Sequence, residues 1–235
     1  MQGHKKIRLQ TFLSRAGAVS RRGAVSVIKA GKVSVNSGNI TEPSFRIDPE
    51  KDKVFLNNKR IAPLEKIYIM LNKPKGVTTT KKDPFAKKTV MDLLPSEFSH
   101  LNPVGRLDKD TKGLLLLTND GELINKLTHP GFNIEKRYIV KLDKGLNPRE
   151  MRVLEAGVML DGRRTAPCSI RLKGDGYLEI IIHEGRKRQI KRMFAKLGYS
   201  VTELKRVSEG SLDIGVLSEG RWRFLTKEEI EHAVK

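Results

Sequence analysis

An aspartate that could do chemistry stands in the stretch GRLDKDTKGLLLLTND, residues 105–120, between basic residues and a run of four leucines. Three interpretations of Asp108 are open. It could cap backbone N–H groups, which is the commonest role of an isolated aspartate in a loop. It could begin a calcium-binding loop. It could also be a catalytic carboxylate, held on a loop that leads into a buried strand of leucines.

The calcium-binding interpretation fails on its ligand chemistry. Asp108, Asp110 and Gly113 match the first, third and sixth positions of an EF-hand loop. The fifth, ninth and twelfth positions, where oxygen ligands and finally a bidentate glutamate are needed, are Lys112, Leu116 and Asn119. A capping or a catalytic role therefore remains. In the catalytic role, an ionised carboxylate can attack carbon or accept a proton.

A second group of charged residues lies in the segment EGRKRQIKRMFAKLGY, which begins at Glu184. The spacing predicts a helix over residues 186–197, with Ile190, Met193, Phe194 and Leu197 on one arc and Arg188, Lys191, Arg192 and Lys196 on the opposite arc. A solvated basic face would explain Lys196. Residues 186–192, however, hold five Lys or Arg, and such close like charges repel unless phosphate or carboxylate groups neutralise them. The segment is therefore a candidate partner for one of these anions.

The overall composition favours a polyanionic partner. The chain of 235 residues holds 46 Lys or Arg against 27 Asp or Glu, a net charge of +19. No apolar run approaches the roughly 18 to 20 residues of a membrane-spanning helix, and the N-terminus lacks the apolar core of a signal peptide. We therefore expect a soluble cytoplasmic protein with no membrane partner. The single Cys168 excludes an internal disulfide and a multi-cysteine zinc site, and the five histidines lack metal-ligand spacing, so we expect no bound metal.

The N-terminal segment is predicted to be a separate binding module. Residues 1–41 carry eight Lys or Arg, and the first acidic residue is Glu42. Apolar residues at helical spacing predict a short helix that ends at Gly17, and Ser20 is the predicted N-cap of a second helix that Gly31 ends. The alternating segment KVSVN then predicts a strand. Eight cations without a counter-charge favour RNA or DNA phosphate over a merely solvated face.

The remaining sequence predicts an α+β fold with a largely antiparallel sheet and flanking helices. Predicted strands outnumber predicted helices, and RLKGDGYLEI is a hairpin signal with Asp175 and Gly176 in its turn. The predicted strands are 67–71, 114–117, 138–142, 169–173, 177–183, 203–207 and 221–225, and the predicted helices are 121–127, 148–156, 186–197 and 227–234. Pro63 begins a predicted linker, which gives two domains, 1–62 and 63–235.

The N-terminal segment resembles a known RNA-binding module. IRLQTFLSRAGAVSRRGAVSVIKAGKVSVNSG, residues 7–38, is similar to the S4 domain, and the resemblance extends over roughly residues 5–50. The departures are small: Gln10 stands where the S4 signature often has aspartate, and Ser37 where it often has glycine. The resemblance implies a small α/β RNA-binding domain whose RNA contacts are Arg8, Ser20, Arg21, Arg22, Lys29 and Lys32.

Four further segments resemble, in order, the motifs of bacterial pseudouridine synthases that modify ribosomal RNA. They are LNKPKG from Leu71, GRLDKDTKGLLLLTNDG from Gly105, EKRYIV from Glu135 and EGRKRQIKRMF from Glu184. The branch of the family that this resemblance implies carries an S4 domain before its catalytic domain. The sequence therefore predicts an S4-type domain followed by a larger, mostly antiparallel pseudouridine synthase domain.

The resemblance also implies the roles of individual residues. Asp108 matches the essential aspartate of the family, whereas Asp110 does not match that position. Tyr138 matches the aromatic residue that stacks on the target base, and Lys191 the basic residue that pairs with the aspartate and keeps it ionised. Two neighbours of Lys191, Arg188 and Arg192, compete for this pairing. The further RNA contacts that we predict are Lys73, Arg106, Arg186, Arg188 and Arg192.

The implied reaction converts a uridine of ribosomal RNA, from the large or the small subunit, to pseudouridine. The N1–C1′ bond breaks, the uracil rotates and C5 joins C1′, so no atoms are gained or lost and no cofactor is expected. The target nucleotide has to be flipped out of its helix. Asp108 could attack C1′, attack C6 or remove the 2′ proton, and the sequence leaves these three routes open. We expect a monomer.

Two other classes of protein are also compatible with the basic composition. A non-catalytic RNA-binding protein, such as a ribosome-assembly factor, would have the same charge but no need for Asp108 and Tyr138 in these motifs. A DNA-binding regulator would use residues 20–30 as a recognition helix. No heptad or apolar patch in the sequence indicates the dimer interface that such a regulator would need.

Overall fold

The computed structural model describes residues 6–62 and 64–234 and divides the chain into two compact units, residues 1–66 and 67–235. Pro63, where the predicted linker begins, and Lys5, where the resemblance to the S4 domain begins, lie outside the described residues. Residues 64–66 are exposed and form no helix or strand. They belong to the N-terminal unit, so the division falls slightly after the predicted boundary between residues 62 and 63.

The N-terminal unit combines two short helices with small antiparallel sheets. Its elements are β1 (Ile7–Arg8), α1 (Leu9–Arg15), α2 (Arg21–Lys29), β2 (Val33–Val35), β3 (Gly38–Asn39), β4 (Arg46–Ile47), β5 (Val54–Leu56) and β6 (Lys59–Ile61). Strand β1 pairs with β4, and the other four strands lie in the order β3-β2-β5-β6. Fully buried side chains from both helices and three strands form one core: Leu9, Leu13, Ala24, Ile28, Val33, Ile47 and Val54.

The two predicted N-terminal helices are confirmed, and so is the predicted cap of the second. The Ser20 hydroxyl accepts a hydrogen bond from the backbone N–H of Gly23 at 3.0 Å, as an N-cap residue does. Gly31 follows the end of this helix with a φ of +66°, a left-handed conformation that favours glycine. These local signals fix where α2 begins and ends, and the basic residues around it stay exposed.

The second unit has one large sheet with helices packed against it. In chain order its elements are β7 (Tyr68–Lys73), β8 (Asn102–Pro103), β9 (Lys112–Thr118), α3 (Gly121–Thr128), β10 (Lys136–Leu142), α4 (Pro148–Glu155), β11 (Met159–Leu160), β12 (Arg163–Arg164), β13 (Ser169–Gly174), β14 (Tyr177–Ile182), α5 (Gln189–Ala195), β15 (Val201–Glu209), β16 (Leu212–Asp213), β17 (Trp222–Phe224) and α6 (Lys227–His232). Short 3-10 helices lie at Val90–Leu93, Ser96–His100 and Pro130–Phe132.

Nearly all strand pairs of this sheet are antiparallel. The strand order is β13-β14-β10-β15-β9-β7-β17, with β16 beside β15 and β8 beside β9. Within the described residues, β15 and β9 form the one parallel pair. The predicted α+β fold with a largely antiparallel sheet is therefore confirmed, and the predicted strands and helices are all present with shifted end residues.

The four consecutive leucines of β9 are explained by burial on both faces of the sheet. Leu115 and Leu117 pack into one hydrophobic cluster, whereas Leu114 and Leu116 pack into a second cluster on the opposite face. Alternate residues of a strand point to opposite faces, so a strand covered on both sides needs apolar residues at every position. The start of this strand, which follows Asp108 closely, is thus held inside the sheet of the second unit.

Gly113 is required by the close approach of two strands. Its φ is +111°, and a Cβ atom added there would lie 2.1 Å from the carbonyl oxygen of Arg206 in β15. Only glycine permits this contact. The glycine of the GRLDKDTKG segment therefore belongs to the parallel pairing of β9 with β15.

One predicted helix begins later than the sequence indicated. The spacing predicted a helix over residues 186–197, but α5 begins at Gln189. Arg188 has a φ of 52°, in the left-handed region, so the backbone before Gln189 is not helical. The apolar arc is confirmed, since Ile190, Met193 and Phe194 are buried.

No helix in residues 6–62 and 64–234 is long and apolar enough to cross a membrane.

Candidate active site

Asp108 lines a cleft of 590 Å³ in the second unit. The sequence-predicted motifs meet there, because its lining comes from the Asp108 loop, from Tyr138 and from the basic segment before α5. The lining residues are Gly105, Arg106, Leu107, Asp108, Thr111, Tyr138, Ile182, Gly185, Arg186, Lys187, Arg188, Gln189, Ile190 and Leu204. The cleft thus combines one carboxylate, one buried aromatic ring and a basic rim.

The loop that carries Asp108 is held by hydrogen bonds on both sides of the aspartate. Before it, the Thr79 hydroxyl donates to the carbonyl oxygen of Leu107 at 2.8 Å and accepts from the N–H of Leu107 at 3.3 Å. After it, the N–H of Thr111 donates to the carbonyl oxygen of Asp108 at 3.0 Å and closes a turn. The N–H of Gly76 donates to the carbonyl oxygen of Lys109 at 2.7 Å. The backbone around the carboxylate is therefore fixed before any substrate binds.

The side chain of Asp108 itself is left available. Among the residues that the structure describes, no backbone N–H donates to this carboxylate, and no Lys or Arg nitrogen lies within 4.0 Å of it. The carboxylate is partly exposed at the cleft. This geometry does not support the capping interpretation, and it leaves both oxygens free to react.

Lys73 was predicted to contact RNA, and its position in the structure contradicts this prediction. Its side chain is fully buried at the end of β7, a strand covered on both faces, so it cannot reach solvent. The ammonium group donates to the carbonyl oxygens of Thr111 at 2.8 Å, Pro74 at 3.0 Å and Lys109 at 3.4 Å. Burial lowers the pKa of Lys73 to about 8, against the opposing charges of Asp110 and Asp108. Through these hydrogen bonds, Lys73 stabilises the turn of residues 108–111, which we call the Asp108 turn.

We expect Lys73→Met to destabilise the protein. The substitution keeps the length of the side chain but removes the ammonium donor from the carbonyl oxygens of Thr111 and Pro74, which reduces the free energy of unfolding by about 1–3 kcal/mol. The carbonyl oxygen of Lys109 keeps its hydrogen bond from the N–H of Gly76. Lys75→Met is the matched control, because Lys75 is exposed in the same segment. It should weaken RNA binding and change the free energy of unfolding by less than about 0.5 kcal/mol. Urea denaturation measures both, and equal stability of the two variants would contradict the supporting role.

Lys191 was predicted to pair with Asp108, and this prediction is wrong. Its ammonium nitrogen lies 2.5 Å from Oδ2 of Asp110, and Nη1 of Arg188 lies 3.5 Å from the same oxygen. The turn that begins at Asp108 separates the two carboxylates. Asp108 opens into the cleft with Tyr138, whereas Asp110 contacts the start of α5. Arg192, the other rival for the pairing, binds Asp161 at 2.5 Å.

The cations at Asp110 keep its carboxyl group ionised. Burial alone would raise the pKa of Asp110, but the hydrogen bond from Lys191 and the charges of Lys191 and Arg188 outweigh burial and hold this pKa below its ordinary value of 3.8. Sequence reasoning set Asp110 aside because it does not match the essential position of the family. In the structure, Asp110 connects the turn that begins at Asp108 to α5 through its ion pair with Lys191.

We expect Lys191→Met to loosen the turn and to change its response to acid. The Asp110 side chain is 40% exposed, so solvent screens its ion pair with Lys191, which stabilises the protein by less than about 1 kcal/mol above pH 4. This contribution is lost as the pH falls through the lowered pKa of Asp110. The stability difference between wild type and Lys191→Met should therefore be largest near pH 7 and narrow toward pH 3. Denaturation at a series of pH values checks this, with Lys196→Met, an exposed lysine at the end of α5, as the control. A difference that does not depend on pH would argue against the pairing.

Tyr138 forms part of the wall of the cleft and is almost fully buried. It lies in β10 directly opposite Arg206 of β15, at a point where the register of the two strands shifts after Arg137. Its side chain is 8% exposed. Burial raises the pKa of the Tyr138 hydroxyl. Tyr138 is therefore a neutral aromatic ring at neutral pH, which suits stacking on a base better than proton transfer.

A buried ion pair that sequence reasoning missed lies behind Tyr138. Nη1 of Arg206 donates to Oε1 of Glu209 at 3.2 Å, Nη2 lies 3.1 Å from Oε2, and Nε donates to the carbonyl oxygen of Leu114 at 2.8 Å. Their side chains are 3% and 1% exposed. The sequence carried a signal for the burial of Arg206, because alternate residues of a strand share a face and Arg206 alternates with the buried Leu204 and Ser208 of β15.

The remaining predicted RNA contacts fall into two groups. Each guanidinium nitrogen of Arg186 binds within the protein, to Glu184 or to carbonyl oxygens of the β11–β12 hairpin, so its role as an RNA contact stays a prediction. Arg192 is tied to the same hairpin through Asp161, although a third of its side chain stays exposed. The exposed residues are Arg106 and Arg188 at the cleft, and Arg8, Ser20, Arg21, Arg22, Lys29 and Lys32 on the N-terminal unit. Among the described residues, no group of three or more His, Cys, Asp or Glu side chains is placed to hold a metal ion.

Two family models match the chain in the order that the sequence predicted. The S4 domain model matches residues 7–54, and the RNA pseudouridylate synthase model matches residues 67–196. The chain belongs to the RNA pseudouridine synthase family, in the form that carries an N-terminal S4 domain. It is an enzyme that isomerises uridine to pseudouridine in RNA. This membership confirms the family resemblance and excludes the two rival classes of protein.

Particular relatives match over nearly the whole chain. Ribosomal large subunit pseudouridine synthase B of Bacillus subtilis (strain 168) is 40% identical over 231 residues, which are 95% of this chain and 94% of the relative. An uncharacterized RNA pseudouridine synthase of Aquifex aeolicus (strain VF5) is 37% identical over 235 residues, 98% of this chain and 94% of the relative. The crystal structure of a pseudouridylate synthase, 31% identical, superposes with a TM-score of 0.71 and covers 97% of this chain and 99% of that one. The two-domain fold is thus shared with a solved relative.

Proposed function

We propose that the protein converts a specific uridine of ribosomal RNA to pseudouridine, with Asp108 as the reacting carboxylate and without a cofactor. One observation carries this proposal: the side chain of Asp108 forms no ion pair with the described residues and shares a cleft with the neutral ring of Tyr138. The name of the Bacillus subtilis relative favours large-subunit ribosomal RNA as the substrate. Such a substrate would place the protein in the cytoplasm.

The reaction needs a carboxylate that can approach the sugar or the base. The N1–C1′ bond breaks and the C5–C1′ bond forms, while C5 loses a proton and N1 gains one. The exposed oxygens of Asp108 are available for attack on C1′ or on C6, or for removal of the 2′ proton. In each route the fixed backbone of the Asp108 turn keeps the carboxylate oriented, which reduces the entropy that has to be lost in the transition state.

The target uridine would be flipped into the cleft and stacked on Tyr138. A base inside a duplex cannot present C1′ and C6 to a carboxylate, so the nucleotide has to leave the stack. The volume of 590 Å³ lies within the usual range for small-ligand pockets. The exposed guanidinium groups of Arg106 and Arg188 at the rim would contact the flanking phosphates.

Affinity for RNA would come mainly from exposed cations. The S4 unit presents exposed basic residues, and each phosphate that the protein neutralises makes binding more sensitive to salt. We propose that one chain is sufficient for activity. Light scattering of the purified protein tests this proposal, with the mass of a single chain as the expected result.

Tritium release tests the proposed reaction directly. Unmodified large- and small-subunit ribosomal RNA, each carrying uracil tritiated at C5, would be incubated separately with the protein in the presence of EDTA. Formation of the C5–C1′ bond expels the label, so we expect release from large-subunit RNA alone. Release from small-subunit RNA alone would reassign the substrate. Salt-dependent binding to both RNAs with no release from either would reject the ribosomal substrate.

A further inference from the structure

A lysine-rich loop in the second unit carries an aromatic side chain in full contact with solvent. Residues 80–88, TKKDPFAKK, hold four lysines and one aspartate, and Phe85 in their middle is 95% exposed. We call this segment the Phe85 loop. Single exposed apolar residues are common on protein surfaces, so exposure alone identifies no site. The Phe85 loop is also held by internal hydrogen bonds, joined to the backbone that carries Asp108, and positively charged.

The Phe85 loop is ordered by its own hydrogen bonds. Oδ1 of Asp83 accepts from the N–H of Phe85 at 2.9 Å, and the carbonyl oxygen of Asp83 accepts from the N–H of Ala86 at 3.2 Å. Pro84 restricts the backbone between them. The Thr80 hydroxyl donates to the carbonyl oxygen of Lys82 at 3.1 Å. The turn therefore holds the ring outward, so that little conformational entropy is lost when a ligand contacts it.

The base of the Phe85 loop is joined to the backbone that carries Asp108. The N–H of Thr78 donates to the carbonyl oxygen of Lys88 and the N–H of Val90 to that of Thr78, both at 3.0 Å, which closes the loop. Thr79, next to this closure, makes the two hydrogen bonds to Leu107, the residue before Asp108. A polyanion bound in the cleft would therefore pass close to the base of the Phe85 loop.

The charge of the Phe85 loop fits RNA. Lys82, Lys87 and Lys88 are exposed in the same loop and attract phosphates. The ammonium group of Lys81 donates to the carbonyl oxygen of His100 at 3.2 Å and attaches the loop to the protein. An aromatic ring surrounded by cations is the combination that binds single-stranded nucleic acid, because any unpaired base can stack on the ring while the lysines bind its neighbouring phosphates. A protein partner would instead need an apolar surface with acidic residues around it.

We propose that Phe85 stacks on an unpaired base of the substrate RNA, outside the flipped uridine, and that the surrounding lysines bind the phosphates beside that base. This inference rests on the proposed action on structured ribosomal RNA. It gives the enzyme a second aromatic contact, which selects RNA with an unpaired nucleotide at a fixed distance from the target. Phe85 takes no part in the chemical step.

Substitutions of Phe85 separate stacking from apolar contact. Phe85→Ala and Phe85→Leu should each raise the Kd for a large-subunit RNA fragment about 10-fold, whereas Phe85→Trp should bind as tightly as wild type. At saturating RNA, the single-turnover rate of all three variants should equal that of wild type. Val216→Ala is the control, because Val216 is fully exposed but has Asp213 and Glu219 as its nearest charged residues in sequence. It should leave the Kd unchanged.

The dependence on salt provides an independent check. Stacking neutralises no phosphate, so Phe85→Ala should keep the wild-type slope of log Kd against log salt concentration. Lys87→Gln should reduce the magnitude of this slope by about 0.7 to 0.9. Wild-type affinity of Phe85→Ala, or wild-type affinity of Phe85→Leu, would overturn the stacking contact. So would a loss of affinity that occurs only when ribosomal proteins are bound to the RNA, since Phe85 would then contact protein.

Failure of the proposed function can be told apart from failure of this inference. Tritium release by wild type on the same RNA fragment is measured in parallel with the Kd values. Absence of release together with a 10-fold loss of affinity in Phe85→Ala would reject the reaction on this RNA and retain the stacking contact. Normal release with unchanged affinity would retain the reaction and reject the contact.

Discussion

Asp108→Asn should bind substrate RNA as wild type does and lose turnover by at least about 10³-fold. The amide has nearly the same shape as the carboxylate, but it is a poor nucleophile and a poor base. Because Asp108 forms no ion pair with the described residues, its replacement leaves no buried partner unpaired, and stability should change by less than about 0.5 kcal/mol. Single-turnover tritium release and a thermal melt of the same preparation measure both quantities.

Asp110→Asn is the matched control, because it changes a carboxylate of the same turn. Its oxygen binds Lys191 at 2.5 Å, so this substitution should lower stability and reduce turnover only in part. The two variants should thus give opposite patterns: lost activity with intact stability for Asp108, and lost stability with residual activity for Asp110. Full turnover by Asp108→Asn, or a greater loss of turnover in Asp110→Asn, would move the reacting carboxylate away from Asp108.

The parts of the fold that depend on local patterns could be predicted from the sequence. The hydroxyl of Ser20 caps α2 because a serine at this position can accept from a nearby backbone N–H, and this interaction needs no distant residue. The four leucines of β9 required burial on both faces, which a sheet with helices provides. Asp108, Tyr138 and the segment before α5, which come from three separate sequence motifs, line one cleft in the structure.

The partners of the charged side chains could not be predicted. Motif spacing places Lys191 near the Asp108 turn. A lysine side chain is long enough to reach either Asp108 or Asp110, which are two residues apart. The geometry of the turn brings the carboxylate of Asp110 to Lys191. Lys73 looked like an exposed cation because its three acceptors are backbone carbonyls, two of them in the Asp108 turn, which no residue pattern encodes. Arg186 likewise binds the carbonyl oxygens of a hairpin.

Removal of the aromatic ring at Tyr138 should have the second largest effect on the reaction. We expect Tyr138→Phe to retain nearly full activity, because the ring remains and the buried hydroxyl is neutral at neutral pH. Tyr138→Ala should lower kcat/KM by about 10²-fold or more, since it removes the stacking surface for the flipped base. It also leaves a cavity beside the buried Arg206–Glu209 pair and should destabilise the protein by about 3 kcal/mol.

Tyr138→Leu separates the loss of stacking from the loss of packing. Leucine fills much of the space of the ring without an aromatic face, so this variant should remain folded yet lose most of the activity that Tyr138→Phe keeps. Single-turnover tritium release, RNA binding and urea denaturation on the three variants give the comparison. Equal activity of Tyr138→Leu and Tyr138→Phe would mean that the cleft needs only an apolar wall. If both Tyr138→Leu and Tyr138→Ala lose activity while Tyr138→Leu keeps its stability, the aromatic ring itself holds the flipped uracil against Asp108.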